Sequence, residues 1–505
     1  WNHPDNMDKV REIVITTLQK HSAMVPVDGE HADRTEGVYV VGSDGRQLVQ
    51  QPRQMQQAAA NTGSQLAAPS GSRELARAAA IRIALSVSSM RALPPTKTRT
   101  KGFMGSGTAQ DPLRITNADD LISLDDPDIG LAGYHFVQTD DIDCAALSHW
   151  PSFEFKGNYN GNGKTIRNVP MRNGCYYLGN NYVYSVTSLF VSLQATSSVT
   201  NLHLENCSLA VFAAGCNIKH CRANGAYLLG RTSDNTQLID CQVTGGYLVA
   251  GEVENTQITG CQVTGGGLVG GGAASSQITG CQVTGGGLVE GNAESSQITG
   301  CQVMDGQSLV WGQARKTNIS DCAVLATWSP RNINNYQGLI ANILENGSVV
   351  ERCFVAGSFS ETNSDIYFSG IAGKCESSTI RQCAVGSLNL SLRYHNQRVR
   401  ITYGGSSATL QNNASIDTNP GNDDSNGQDG KTVAAARFNQ RFFEGNLGWD
   451  FDTVWQWDAA NNRPALRFDA DASQATDPVA TNTTAANGAP LQDLLTRQVQ
   501  ANIWL

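Results

Sequence analysis

The chain is poor in charged residues, in aromatic residues and in long apolar runs. Charged residues make up 16% and aromatic residues 7% of its 505 positions. The formal net charge of −9 disfavours a general nucleic-acid-binding role, because phosphate binding requires a basic face. No run approaches the roughly 18 apolar residues of a membrane span. Glycine is abundant instead, at 51 residues, which predicts a turn-rich protein built from many short strands.

Motifs of common metal and nucleotide sites are also missing. The His residues form no HExxH pattern, and the Cys residues form no CxxC pair. Gly163, Lys164 and Thr165 end like a phosphate-binding loop, but the first glycine of that motif would fall at Asn158. Asn422, Asp424, Asn426 and Gly427 match the first half of a calcium-binding EF-hand loop, but its twelfth position is Val433 instead of Glu. A loop with Asx turns is therefore a better interpretation than a calcium site. We therefore expect no cofactor and no metal.

A repeat with a period of about 20 residues dominates the middle of the chain. Successive units from Thr236 read TQLIDCQVTGGYLVAGEVEN, TQITGCQVTGGGLVGGGAAS and SQITGCQVTGGGLVEGNAES. Such units are too short for a two-helix repeat, and they are rich in glycine and β-branched residues without an apolar stripe of helical period. Each unit is therefore predicted to be one coil of an all-β, right-handed parallel β-helix, with coils about 4.8 Å apart.

The cysteines follow the same period. An apolar residue three positions before a Cys marks eight coils, at Ile218/Cys221, Leu238/Cys241, Ile258/Cys261, Ile278/Cys281, Ile298/Cys301, Ile319/Cys322, Val350/Cys353 and Ile380/Cys383. Cys281 and Val283 share one strand parity and should face the core, while Gln282 should face solvent. We expect a ladder of reduced, buried thiols inside and a ladder of Gln side chains outside, formed by Gln242, Gln262, Gln282 and Gln302.

Composition divides the chain into five parts. Residues 1–100 are predicted to be a small α+β module with a linker, 101–195 the entry and capping segment of the β-helix, and 196–411 the repeat β-helix. Residues 412–468 should close the array, with Asn412 to Gly430 loop-like and Trp449, Trp455 and Trp457 covering the open end of the helix in preference to stacking on sugar rings. Residues 469–505 are predicted to be a linker and an amphipathic helix that docks on the body or on a partner, which could include a second copy.

The repeat resembles a known bacterial family. Residues 267–270 read Gly-Leu-Val-Gly and are followed by an Ile-x-x-Cys segment, which is similar to the GLUG repeat of bacterial exported proteins. The stretches 105–143 and 155–166 look like the segment that opens such arrays, and 442–468 looks like the segment that closes them. The resemblance implies a parallel β-helix in an adhesin-like protein, and it fixes no activity.

We expect a non-catalytic β-helix scaffold of a bacterial exported or delivered virulence-type protein. Its partner would be a host or cell-surface protein or glycan, not a nucleic acid, and no segment is expected to span a membrane. A secreted or bacterial surface location follows, with delivery into a host cell as the alternative because Trp1 to Asp5 do not resemble a secretory signal.

The longer coils after Trp311 predict loops at 327–335 and 358–366, and loops on a rigid scaffold usually carry specificity. The candidate binding residues are Trp328, Arg331, Asn332, Asn335, Tyr336, Thr362, Asn363 and Asp365.

An enzyme is the alternative hypothesis, either a glycan-active β-helix or an effector active through its N-terminal module. Asp140, Asp141 and Asp143 could supply paired carboxylates or calcium ligands, although a plain loop is the simpler interpretation. Cysteine nucleophiles would have to lie outside the ladder, at Cys144, Cys175, Cys207, Cys216 or Cys375, with His149 as the partner of Cys144. The catalytic residues of such an enzyme are not identified. A structural role in an assembly is a third hypothesis.

Overall fold

The computed structural model describes residues 102–170, 172–178, 181–328, 336–361, 367–392 and 398–468. The predicted N-terminal module and the predicted C-terminal helix lie outside these residues. Over the described residues the chain is a parallel β-helix, as the repeat period predicts. A regular coil supplies one strand to each of three long sheets, which pair in register with the neighbouring coils.

Three parallel sheets form the sides of the helix. The first has 13 strands, in chain order Leu113–Ile115, His135–Gln138, Asn158–Asn160, Ser198–Thr200, Asn217–Lys219, Gln237–Ile239, Gln257–Thr259, Gln277–Thr279, Gln297–Thr299, Asn318–Ser320, Val349–Glu351, Thr379–Arg381 and Thr409–Gln411. The second also has 13, namely Ile142–Asp143, Thr165–Arg167, His203–Glu205, Arg222–Asn224, Gln242–Thr244, Gln262–Thr264, Gln282–Thr284, Gln302–Met304, Ala323–Trp328, Phe354–Glu361, Ala384–Leu392, Ala414–Ile416 and Lys431–Val433. The third has 10, namely Glu154–Phe155, Ser188–Leu193, Ser208–Ala214, Leu229–Ser233, Val253–Glu254, Ala273–Ala274, Ala293–Glu294, Val310–Arg315, Ala341–Glu345 and Ala372–Cys375.

Smaller elements surround the three sheets. A short parallel sheet contains Tyr336–Gly338, Tyr367–Ser369 and Arg398–Val399, and two antiparallel pairs are Arg172–Leu178 with Asn181–Val186 and Trp455–Asp458 with Arg463–Leu466. The α-helices of the described residues are Ala118–Ile122, Pro127–Gly130 and Gln440–Phe442, with 3₁₀ turns at Ser123–Asp125 and Ala435–Arg437 and a π turn at Phe443–Leu447. Strands of the long sheets thus begin at Leu113 in the predicted entry segment and end at Val433 in the predicted closing segment.

The corner between the first and second sheets is a single residue in the left-handed conformation, placed directly before each ladder cysteine. Gly260, Gly280 and Gly300 hold this position with φ of 66°, 65° and 64°. Other coils place a non-glycine residue there, such as Asp240 at 51° and Arg352 at 48°. Glycine adopts this conformation without the strain that a Cβ brings, which explains its use in the most regular coils.

The strand faces are as predicted. Cys281 and Val283 are fully buried, whereas Gln282 between them is partly exposed. Every described cysteine is buried and unpaired, so the predicted ladder of free thiols is confirmed for the eight coils that carry it. One member of the outer Gln ladder differs from the prediction, because Gln302 is buried.

The polar segment 412–430 is loop and turn over most of its length, but it also supplies one strand of the helix. Residues 412–430 are predicted to be loop-like, but Ala414–Ile416 forms a strand and Asn413 takes the ladder position after Cys383. The side-chain oxygen of Asn413 accepts from the backbone N–H of Cys383 over 3.0 Å, and its side-chain nitrogen donates to the carbonyl of Ile380. An amide thus replaces the thiol where the ladder ends.

The closing aromatic segment lies on the side of the helix, so the prediction that its tryptophans cover the open end is wrong. We call residues 434–468 the strap. Its buried Phe443 and Trp455 pack in one cluster with Phe354 and with the small residues Ala323, Ala384 and Ala414, on the outer face of the second sheet. The indole nitrogen of Trp449 donates to the carbonyl of Gln382 over 2.8 Å. Alanine in these outer positions leaves room for the strap.

Candidate ligand-binding surface

Three consecutive coils near the C-terminal end project sideways. Their second-sheet strands, Ala323–Trp328, Phe354–Glu361 and Ala384–Leu392, are longer than in other coils, and the short strands Tyr336–Gly338, Tyr367–Ser369 and Arg398–Val399 return beside them. We call these six strands the wing. Phe359 and Phe368 are buried in it, with ring centroids 4.5 Å apart.

The predicted loops at 327–335 and 358–366 are therefore strand in part. Residues 327–328 and 358–361 continue strands of the second sheet. The third projecting coil, at Ala384–Leu392, was not predicted, although Leu388, Leu390 and Leu392 alternate with polar residues as a strand requires. Where these strands run past the core, polar residues alternate with their apolar ones. The sequence of such a stretch resembles that of a loop, so the strands were predicted as loops.

Most of the predicted binding residues lie outside the described part of the chain. They are Arg331, Asn332, Asn335, Thr362, Asn363 and Asp365, which fall between the wing strands in the sequence. Trp328 is the last residue of its strand. Tyr336 is described, and it is partly exposed on the first short strand of the wing.

Tyr336 belongs to a cluster of three tyrosines from successive coils. The ring of Tyr336 stacks on that of Tyr367 with centroids 5.2 Å apart and an interplanar angle of 23°. Tyr367 meets Tyr403 edge to face at 4.8 Å. All three side chains are partly exposed. We call them the tyrosine cluster; the sequence prediction missed Tyr367 and Tyr403, which lie far from Tyr336 in the sequence.

Two glycines bring the cluster together at the corner between the wing and the third sheet. A Cβ on Gly338 would lie 2.3 Å from the carbonyl oxygen of Ala341, and a Cβ on Gly373 would lie 2.6 Å from the backbone nitrogen of Gln337. Only glycine permits this approach. This close approach of the backbones places the wing strand of Tyr336 beside the third-sheet strand of Lys374. The Nζ atom of Lys374 lies 5.6 Å from the centroid of the Tyr336 ring.

The charges around the cluster are balanced. Lys374 pairs with Glu376, and Arg315 pairs with Glu345 over 2.9 Å. The hydrogen bond to Glu376 raises the pKa of Lys374, so the ammonium is retained at neutral pH. Burial, together with Tyr367 and Tyr336, raises the pKa of Tyr403, which keeps its phenol neutral. The surface thus offers aromatic rings, phenol hydroxyls and paired charges to a ligand.

The candidate carboxylates of the enzyme hypothesis take structural roles. Asp143 accepts from Asn168 and from the Arg167 guanidinium, the latter over 2.9 Å, and these contacts lower its pKa to about 2. Asp141 accepts from the backbone N–H of Thr165 over 2.8 Å, and Asp140 accepts from the Thr139 hydroxyl. Each carboxylate stabilises its own turn or strand pairing.

The candidate cysteine nucleophiles are buried. Burial, with a contribution from Asp143, raises the pKa of Cys144 to about 11, and burial raises the pKa of Cys216 to about 11 and those of Cys207 and Cys375 to about 12. His149 is exposed and contacts Ser148 at 3.3 Å. A nucleophilic thiol must be accessible and ionised, so these four do not fit that role. The side chain of Cys175 lies outside the described part of the structure.

Metal-binding clusters and membrane-spanning helices are absent from the described residues. No group of three or more His, Cys, Asp or Glu side chains in the described ranges could hold a metal ion. No helix within them has the length and apolar character needed to cross a membrane.

Comparison with known proteins gives structural neighbours only. No family model matches the chain, and no curated protein matches it. A Bacteroides ovatus protein described as a possible immunoglobulin A1 protease aligns at 15% identity and TM-score 0.23, covering 72% of this chain and 94% of its own. An IgA1 protease aligns at 13% identity and TM-score 0.21, over 60% of this chain and 21% of its own. A mannuronic acid specific polysaccharide family 6 lyase from human gut microbiota aligns at 10% identity and TM-score 0.24, covering 64% of this chain and 91% of its own. At these scores the alignments say nothing about the activity of this chain.

Proposed function

We propose that the protein is a non-catalytic β-helix scaffold that binds a host or cell-surface protein or glycan through the wing and the tyrosine cluster. The setting would be that of the bacterial exported proteins which the repeat resembles, secreted or at the cell surface, with delivery into a host cell as the alternative. The observation that carries the proposal is the convergence of Tyr336, Tyr367 and Tyr403 from three coils onto one partly exposed surface.

Physical chemistry favours such a surface for recognition. Tyrosine offers a large, stiff ring and a polar tip, so it forms contacts with little loss of conformational entropy. The cluster is held by the paired strands of the wing and by the close contact at Gly338 and Gly373, so it is arranged before a ligand arrives. A preorganised surface loses less free energy on binding than one that must order itself.

The cluster also joins three coils, so a test must separate recognition from stability. The full chain would be labelled and its binding to host and bacterial cells measured by flow cytometry, for the native protein and for a Tyr336→Leu, Tyr367→Leu, Tyr403→Leu variant. Loss of a cluster of aromatic contacts should weaken binding by about tenfold or more. Gln277→Leu, on the outer face of the first sheet, serves as the control.

Matched Phe substitutions at the same three positions keep the ring contacts and remove only the hydroxyl groups, so they report on the polar part of recognition. Far-UV circular dichroism would establish that each variant is folded. Unchanged binding by a folded triple Leu variant would refute the proposal.

A further inference from the structure

A second concave surface lies at the N-terminal end of the helix, on the outer face of the first sheet. The cavity has a volume of about 240 Å³. Two short columns of side chains form its floor, His135, Asn158 and Ser198 in one and Val137, Asn160 and Thr200 in the other. Its rim includes Ala109 and Pro112. The cavity belongs to different coils from the wing.

The rim is fixed by hydrogen bonds. The backbone N–H groups of Ser106 and Gly107 both donate to the carbonyl of Asp111, over 3.0 and 2.9 Å. The backbone N–H of His135 donates to the carbonyl of Gly107, which ties this loop to the floor. The floor strands are paired on both sides within the sheet. The cavity is therefore formed before any ligand binds, which is the usual condition of a small-molecule site.

The lining combines amide and hydroxyl groups with apolar side chains, and it includes the ionisable His135. The described residues that line the cavity include no Lys, Arg, Asp or Glu. Amide and hydroxyl side chains can donate and accept hydrogen bonds at once, as the hydroxyl groups of a sugar do. Two charged residues continue one column at its ends, Arg114 beside Val137 and Lys219 beside Thr200. Neither lines the cavity, so a ligand on the floor meets the amide and hydroxyl groups first.

The amide group of Asn160 is held by two hydrogen bonds to its oxygen. Its side-chain oxygen accepts from the backbone N–H of Asn162 over 2.8 Å and from the side chain of Asn201 over 3.3 Å. These two bonds fix the amide plane and leave both of its N–H hydrogens for other acceptors. The neighbouring Asn158 contacts the His135 ring at 3.4 Å, which orders a second amide on the same floor.

We propose that this cavity binds a neutral sugar residue, held by the amides of Asn158 and Asn160 and the hydroxyls of Ser198 and Thr200, with Val137 and Pro112 against its C–H groups. The volume is below the roughly 300–1,000 Å³ of sites for drug-sized ligands, so it suits one sugar ring of a glycan better than a longer segment.

The test is ligand-observed saturation-transfer NMR on the full chain, with a panel of neutral hexoses, N-acetylhexosamines and the corresponding uronic acids. Asn160→Asp keeps the acceptor for Asn162 and removes the donor, so it should weaken binding of the neutral sugars by about tenfold. Gln277→Glu adds the same charge to the same sheet several coils away and should leave binding unchanged.

Three results would overturn the proposal. They are absence of saturable binding by every neutral sugar, equal binding of the uronic acids, and neutral-sugar binding that survives Asn160→Asp. If binding is instead abolished by Tyr403→Leu, the sugar binds at the tyrosine cluster, which would support the proposed function and refute the cavity site.

Discussion

The backbone N–H of Ser276 donates a hydrogen bond to the hydroxyl of Ser296, one coil further along the chain, over 3.1 Å. The same contact joins Thr256 to Ser276 and Thr317 to Ser348. These hydroxyls are buried at the corner between the third and first sheets, and each also donates to a nearby carbonyl, as Ser296 does to Glu294. A column of hydroxyls thus runs through the helix beside the column of thiols.

Removing one hydroxyl from this column should be costly. Ser296→Ala leaves the N–H of Ser276 buried without its acceptor, and the free energy of unfolding should fall by about 1–3 kcal/mol. Ser296→Thr is the matched control, because Thr256 and Thr317 occupy equivalent positions in other coils. Guanidinium denaturation of the three proteins measures the effect. Equal stability of the Ala and Thr variants would show that the hydroxyl column does not stabilise the fold.

The thiol column leads to a prediction about reactivity. Burial raises the pKa values of Cys261 and Cys281, and both side chains are fully buried. Thiol reagents should therefore label them slowly in the native protein and rapidly after denaturation, since the reactive species is the exposed thiolate. Rapid native labelling at these positions would contradict the assignment of the strand faces.

A charge introduced into the same column separates the two strand faces. Cys281→Asp places an unpaired carboxylate in the core and should reduce the free energy of unfolding by about 3 kcal/mol or more. Gln282→Asp, on the partly exposed outer face, should change it by about 0.5 kcal/mol at most. Thermal and chemical denaturation would show whether the two neighbouring substitutions differ in this way.

Two glycines of one coil should differ in their tolerance of alanine. Gly280 has φ of 65° with only the Gly260 backbone nearby at 3.9 Å, so Gly280→Ala brings backbone strain of about 1–2 kcal/mol without a clash. Gly286→Ala would place its Cβ 2.2 Å from the carbonyl oxygen of Gly266 and force neighbouring coils apart. The second variant should melt at the lower temperature in a thermal scan, and the reverse order would argue against the coil stacking described here.

The repeat makes whole coils dispensable. Deleting Ser276 to Ser295 removes one coil and leaves the register of the remaining coils intact, because the strands on either side already have the same sequence pattern. A deletion of half that length, Ser276 to Gly285, would move the following strands to the wrong sheet. We expect the first protein to fold and the second to fail, as judged by far-UV circular dichroism and thermal melting. Similar behaviour of the two deletions would be inconsistent with the assigned coil length.

The sequence predicts the regular coils well because identical residues repeat at identical positions. The period, the inward direction of Cys281 and Val283 and the outward direction of Gln282 all follow from the repeat and from strand alternation. The hydroxyl column was missed, since Ser and Thr at 256, 276 and 296 are equally compatible with a solvent-facing turn. Their burial depends on the left-handed residue that precedes each of them, such as Ser275 with φ of 50°.

The candidate binding surface is less predictable than the helix. Tyr336 was predicted because it adjoins the predicted loop 327–335. Tyr403 follows a bridge to the third sheet at Thr402, and its contact with Tyr367 exists only once the coils are stacked. The position of the strap is hard to predict for a similar reason. Ala323, Ala384 and Ala414 mark its docking face, and small residues on one outer face carry little signal until the coils are stacked.

Site-specific photo-crosslinking tests the proposed binding surface most directly, because it captures a ligand of any chemistry. A benzophenone amino acid would replace Lys374, which is partly exposed beside the tyrosine cluster, and in a second protein it would replace Gln277 on the outer face of the first sheet. Each full chain would be irradiated on intact host cells. We predict a discrete covalent adduct with one cell-surface component from position 374 and none from position 277. Adducts of equal yield from both positions, or none from position 374 when the protein is bound to the cells, would contradict recognition through this surface.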